Sequence, residues 1–405
     1  MVGRTTKVVG GTRKMVGRTT KVVGGTRQMV GRTTKVVGAT RKMAGETPER
    51  DSPKNCVNDN LNNYMSTLNI RVFGTGNAWP VLIGSNHRFY NRHNMFDLAN
   101  AAFSVFEQNN KKEINWEILI DAGHGTPQYI LSSYNRIPDA IVLTHAHLDH
   151  TAGLDWIVQS HYRIKKNRPF PVYCSKPCWN YIINSFPHLE GLMEHIELIP
   201  SVTINIKEAD NITITPFPVY HGPRAPGANL LIFETEKPKP KKIIFTGDIL
   251  CPLIRKTDYE KLNNPDFLFA DANNRYPCPA SNHWSILSSF INENENYLEN
   301  WKSKINLSGL IKPHKNNNSN KITSNYLDEV ISEQYQKLDM PLSILEFTKL
   351  IKPKKIGLVH YSGLEDFKYY KQRIFSKIEL LEWCRTAIGG KYGITIPTSG
   401  EIFKI

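Results

Sequence analysis

Residues 144–150 read Thr-His-Ala-His-Leu-Asp-His, directly after the apolar run Ala140–Leu143 and shortly before Gly153. Three imidazoles and a carboxylate so close together at a strand end crowd unsatisfied nitrogens and like charge unless a cation organises them. A single histidine in such a place is usually a satisfied polar residue. Four ligand-type side chains together are hard to explain by packing. The donor set suits zinc, iron, manganese or nickel rather than calcium. A loop of this kind has to be presented on a rigid strand end.

The rest of the chain supplies such a scaffold. Leu68–Phe73 alternates as a strand and runs into Gly74-Thr75-Gly76. Ile114–Asp121, Ala140–Thr144, Pro171–Cys174, Val202–Ile206, Ile212–Val219, Asn229–Thr235, Lys242–Thr246, Phe267–Asp271 and Lys355–Val359 read as further strands. Leu154–Ile164 carries Leu154, Ile157, Val158 and His161 on one helical face. Trp284–Phe290, Ile344–Leu350 and Phe367–Cys384 are expected to be helices. Strands in two batches with helices between them predict an α/β layered sandwich. Residues 292–325 contain ten Asn, a bias that predicts an inserted loop or surface arm extending to about residue 340.

The motif His145-Ala146-His147-Leu148-Asp149-His150 resembles the signature of the metallo-β-lactamase superfamily, and the resemblance covers roughly Leu68 to Ile405. It implies a four-layer αββα sandwich of two mixed sheets, with metals at one edge. Asp121, in Leu119-Ile120-Asp121-Ala122-Gly123, matches the Asp that steadies the metal loop. His221, after Pro218-Val219-Tyr220, falls where a third histidine is expected. Asp248, in Phe245-Thr246-Gly247-Asp248, matches the bridging carboxylate, and His360, in Leu358-Val359-His360-Tyr361, matches the last ligand. The resemblance therefore implies two divalent ions, zinc first and manganese or iron as alternatives. His145, His147 and His221 would hold one, Asp149, His150 and His360 the other, and Asp248 would bridge them around a hydroxide. An Asp at that bridge, with Cys251 three residues away, argues against simple lactam hydrolysis.

Asp271-Ala272-Asn273-Asn274 and Asn282-His283-Trp284-Ser285 are similar to the phosphodiesterase branch, which includes ribonuclease Z and the cyclic-phosphate phosphodiesterases. By that resemblance Asp149 and His283 are the residues expected to act in catalysis, His283 as general acid or phosphate clamp. An alkoxide leaving group needs a proton from a group titrating near neutrality. Capping of a following helix is the alternative for His283. Gly74-Thr75-Gly76-Asn77-Ala78 matches the first turn of the branch more loosely, and Arg224 reads as a solvated side chain. No clear counterpart of the long tRNA-gripping arm of ribonuclease Z is visible. Thioesters and lactones remain alternative substrates, and a tRNA 3′ end is another. Cys174-Ser175-Lys176-Pro177-Cys178 has loose metal-like spacing without a second pair. Trp79, Trp156 and Trp284 are open to pocket or core roles. The stretch holding His87, Arg88, Arg92 and His93 is open to three readings: a substrate loop, a dimer contact or a surface excursion.

Charge enters the argument through its location. Of 51 Lys and Arg, 11 lie in residues 1–42, which hold no Asp or Glu, so the remaining 40 nearly balance 37 acids. Those 42 residues are three near-copies of MVGRTTKVVGGTRK, rich in Gly and β-branched residues and poor in apolar bulk. Disorder is expected for residues 1–64. They read as a translated short repeat upstream of a natural start at Met65, with a basic arm for nucleic acid as the non-enzymatic alternative. Residues 65–405 are then the hydrolase domain. Its near-neutral charge favours a small anionic phosphodiester over a long nucleic acid. Six scattered cysteines, no apolar run of about 18 residues and no secretory leader predict a cytoplasmic protein with no membrane partner.

Overall fold

Most of the apolar runs are continuous because the strands they form are covered on both faces. The computed structural model describes residues 67–77, 99–236, 239–278, 281–288, 318–335 and 339–405. The repeat tail and linker, Ala78, Trp79, the 87–93 stretch and residues 292–317 lie outside them.

The chain first lays down β1 (Thr67–Gly74), β2 (Ala102–Gln108) and β3 (Ile114–Ile120). Helices and strands then alternate through α1 (Thr126–Ser133), β4 (Ala140–Val142), α2 (Leu148–Thr151), α3 (Leu154–Ile164), β5 (Phe170–Cys174), α4 (Lys176–Ser185) and β6 (Met193–Glu197). Next come β7 (Ile204–Asn205), β8 (Ile212–Tyr220), β9 (Asn229–Thr235), β10 (Lys241–Phe245), β11 (Cys251–Pro252), α5 (Tyr259–Leu262) and β12 (Phe267–Asp271). The remainder is α6 (Asn318–Val330), α7 (Ile344–Ile351), β13 (Lys355–Val359), α8 (Leu364–Tyr370), α9 (Lys377–Ile388), β14 (Gly393–Thr395) and β15 (Ile402–Lys404).

One sheet runs β15-β1-β2-β3-β4-β5-β6; the other runs β11-β8-β9-β10-β12-β13-β14, with β7 paired to β8. Both are mixed. Strands β3 to β6 are parallel, as are β10, β12, β13 and β14, and the pairs at the other end of each sheet are antiparallel. Alternate residues feed different layers. Ile118, Ile120 and Val142 meet Phe233, Phe245 and Phe269 between the sheets. Leu119, Ile141 and Leu143 turn outward onto Ile130, Leu154, Ile157, Val158 and Ile182 of α1, α3 and α4. Ile244, Leu268 and Leu358 turn outward on the other side against α6, α7 and α9. This is the four-layer αββα sandwich, and its parallel regions place a crevice at the carboxyl ends of their strands.

Some expected elements differ. Residues 284–288 are not helical: Ser285 bridges Asn274 and Ser343 in extended pairing, and Trp284 is core. The long carboxy-terminal helix is two helices, broken after Lys371 adopts a left-handed conformation. The Asn-rich segment is built into the domain from residue 318, since α6 buries Tyr326, Leu327 and Val330 in the core. The stretch before Asp121 contains β2, whose Ala102, Phe103, Val105 and Phe106 are buried. Cys174 and Cys178 are core residues at the β5–α4 junction, where Ser175 caps α4. Among the described residues, no helix is long and apolar enough to cross a membrane.

Candidate metal centre

Every predicted ligand is brought to one place. Asp121 follows β3, His145, His147, Asp149 and His150 follow β4, and His221 follows β8. Asp248, Asp271 and His360 close β10, β12 and β13. Two sets of ligand atoms lie within 4.8 Å of one another: His145, His147 and His221, and Asp149, His150, Asp248 and His360. The carboxylate of Asp248 joins them. Its Oδ2 stands 3.8 Å from His145 Nε2, 3.6 Å from His221 Nε2 and 3.4 Å from His360 Nε2, and its Oδ1 is 3.3 Å from His150 Nε2.

The strand ends that carry these groups are shaped for them. Asp121 and His360 both hold φ above zero, at 57° and 66°. Such strain in non-glycine residues persists only where surrounding structure imposes it, and it concentrates at functional sites. Asp121 turns its carboxylate back into the metal loop: Oδ1 accepts from the Thr144 backbone N–H, and Oδ2 accepts from Thr144 Oγ1 and pairs with His150 Nδ1 at 2.8 Å. Gly123 lets the loop approach closely, because a Cβ there would stand 1.8 Å from the Asp149 carbonyl oxygen. Gly247, at φ +57°, would bring a Cβ to 2.7 Å from Thr144.

The donor set fits divalent metal. Nε2 of His145, His150 and His360 and Oδ2 of Asp149 are buried and lack a hydrogen-bond partner. An orphaned buried polar atom is costly. Four of them converging on one carboxylate are accounted for by cations. The ring nitrogens His221 Nε2 and His147 Nδ1 face each other at 3.2 Å, as two lone pairs sharing a cation would. Protonation favours the same reading. Burial pushes His145 well down, His147 down and His221 down to about 3, so these imidazoles are neutral. Burial opposes the charges of Asp149 and Asp248, yet the neighbouring histidines hold both carboxyls well below the usual range. His150 is the exception. Burial lowers it, but Asp248, Asp149 and Asp121 outweigh burial and raise it well above the ordinary imidazole value. A proton held among three carboxylates occupies the place a cation would take.

His283 stands beside this cluster, its ring stacked on His360 at 4.8 Å and edge-on to His221 at 4.7 Å. Its Nδ1 is 2.7 Å from Asp271 Oδ2 and 3.9 Å from Asp248 Oδ2. Burial acts against its charge, but those two carboxylates prevail and raise it to about 9. The side chain keeps 14% of its surface exposed, so it can reach a ligand. It caps no helix. Asp271, wholly buried and held by the Ile249 backbone N–H, is a site residue whose motif, Asp271-Ala272-Asn273-Asn274, carries the resemblance to the phosphodiesterase branch without giving the Asp a role. Among the aromatics considered for the pocket, Trp284 is core and Trp156 is exposed, and Arg224 is also exposed.

Residues 117–289 match the family model described as "Beta-lactamase superfamily domain". That segment of the chain is similar to the metallo-β-lactamase superfamily. A diphosphatase of the PhnP family is 17% identical with a TM-score of 0.51, over 84% of this chain and 98% of that one. The metallo-β-lactamase fold protein YhfI from Bacillus subtilis is 14% identical over 84% and 100%, with a TM-score of 0.48. Human tRNase Z, short form, is 14% identical over 83% and 98%, with a TM-score of 0.45. No curated protein matches the sequence. Fold, matched segment and donor set together support a metal-dependent hydrolase.

Asp121 offers a test of the loop as a candidate metal-binding loop. Asp121→Asn keeps shape and tolerates the left-handed backbone, but replaces one acceptor with an NH2 donor and removes the charge that faces His150. The expected loss is about 10–100-fold in metal affinity, the range for such supporting partners. Competition with a metallochromic chelator measures it; unchanged affinity would make Asp121 merely a turn residue.

Proposed function

We propose that this chain is a phosphodiesterase acting on a small anionic phosphodiester, cyclic or linear. The observation that carries the reading is the His283–Asp271 pair set directly against the ligand cluster. The PhnP-family diphosphatase, whose fold is similar, favours phosphoryl chemistry over other hydrolyses.

Two divalent cations, zinc first, would be held by His145, His147 and His221 and by Asp149, His150 and His360, with Asp248 between them, and would supply Lewis acidity and an activated water at neutral pH. The remaining chemistry belongs to side chains. Two carboxylates against two divalent cations leave the centre positive, which favours an anionic substrate. Asp149 would serve both as a ligand and as a carboxylate able to orient the water. Asp271 occupies the Nδ1 side of His283 and holds the ring protonated. The proton given to the leaving oxygen therefore departs from Nε2, and Asp271 stabilises the ring's orientation throughout.

The test is turnover by the full-length, zinc- or manganese-loaded protein on bis(4-nitrophenyl) phosphate and on ribonucleoside cyclic phosphates, beside thioester and lactone probes. Hydrolysis of diesters alone is the expected result. Preference for thioesters or lactones would move the protein to another branch of the superfamily, and selective cleavage of a tRNA 3′ end would point to the nuclease.

A further inference from the structure

The loops that bear His283, His360 and Asp121 meet through a buried chain of amides. Asn273, 1% exposed, is at its centre. Its Oδ1 accepts from Asn77 Nδ2 at 2.6 Å, and its Nδ2 donates to Ser281 Oγ at 3.4 Å. Ser281 Oγ in turn accepts the backbone N–H of His283 at 3.2 Å. The Asn273 carbonyl accepts from the backbone N–H groups of Ser362 and Gly363, just beyond His360, whose own N–H bonds to the Thr75 carbonyl. On the far side, Asn100 Nδ2 donates to the Asn77 carbonyl, and Asn100 Oδ1 accepts from the His124 backbone N–H in the loop after Asp121.

We infer that Asn273 is a positioning residue for proton donation: it sets the place of His283 relative to the metal ligands. The inference rests on His283 being the acid of the proposed phosphodiesterase reaction. An amide suits this post because it must accept on one side and donate on the other. The bond from Asn77 fixes which way the group points, so its NH2 is turned toward Ser281. Neither Asp nor Leu of similar volume can do both. The Asn273 backbone N–H also donates to Asp271 Oδ1 at 3.3 Å, a bond that an alanine keeps, so its side chain reaches His283 only through Ser281. A displacement of about 1 Å in an acid is enough to cost on the order of 100-fold.

The readout is the dependence of rate on the leaving group, using methyl aryl phosphodiesters from 4-nitrophenyl to unsubstituted phenyl. A 4-nitrophenolate leaves without a proton; a phenolate benefits from one. His283→Ala should lose about 100-fold or more on the phenyl ester and far less on the nitrophenyl ester. Asn273→Ala should show the same selectivity, about 10–100-fold on phenyl and less than about threefold on nitrophenyl, with metal content unchanged. Ser281→Ala removes only a hydroxyl and breaks the same thread, so it should steepen the dependence too, and it decides the matter if Asn273→Ala fails to fold. Equal losses on all esters, or none, in these variants while His283→Ala remains selective would overturn the role given to Asn273. A His283→Ala variant without selectivity would overturn the acid itself, and the inference with it.

Discussion

Asp248→Ala is expected to lower hydrolysis by more than about a thousandfold and to empty both halves of the metal centre. Its two oxygens stand 3.3–3.8 Å from the Nε2 atoms of His145, His150, His221 and His360, so among the described residues it is shared by both sets of candidate ligands. A supporting partner outside the ligand set is worth about 10–100-fold, and a shared ligand should exceed that. Stability should follow metal. Cations bind the folded centre and not the unfolded chain, and at a hundred times their dissociation constant they stabilise by about 2.7 kcal/mol. Chelation of the wild-type protein should therefore lower its thermal midpoint, whereas chelation of Asp248→Ala should change little. Metal content by atomic emission, kcat and thermal melts on the same samples check all three. Wild-type turnover from Asp248→Ala, or from a protein stripped of metal, would remove the centre from the chemistry.

His283→Ala should suppress turnover of diesters with poor leaving groups by about 100-fold or more while leaving metal content intact. The pH dependence carries a sign. Asp271 and Asp248 hold the His283 proton up to about 9 against the effect of burial. Below that pH the acid is protonated and donation is available; as pH rises through it, donation is lost. Bound cations neutralise part of the Asp248 charge, so in the loaded enzyme this limb should fall at or below about 9. The stability linked to the proton follows the same direction. It is fully present below the unfolded imidazole value of about 6.5 and disappears as pH passes the raised folded value. Rate profiles on phenyl esters should show a descending alkaline limb in the wild type that is absent in His283→Ala. A profile of the same shape in both proteins would assign the limb to another group.

The residues that the structure gathers into the cluster were legible in the chain because they come with strong local context. His145 to His150 lie within one loop after a short apolar strand, and His221, Asp248 and His360 each end another such strand. The strands were readable for the same reason: runs such as Lys355–Val359 and Phe267–Asp271 are apolar from end to end, or nearly so, because helices cover one face and the partner sheet the other. Local pattern misled where tertiary pairing prevailed. Trp284–Ser288 has helical composition, but Ser285 pairs with Asn274 and Ser343, and that long-range bonding keeps the segment extended. Similarly, α6 is polar in sequence and is held by the three side chains it buries.

The amino-acid sequence by itself determined the donor set, the strand-end loops that carry it and the class of fold able to assemble them, because imidazole, carboxylate and apolar periodicity are local properties of the chain. Only the tertiary structure decided which carboxylate holds His283, that Asp121 and His360 take left-handed backbone, and that Asn77, Asn273 and Ser281 form one thread. Those facts depend on contacts between residues up to 196 positions apart, such as Asn77 with Asn273, and a hydrogen bond across that span has no signature in either local sequence.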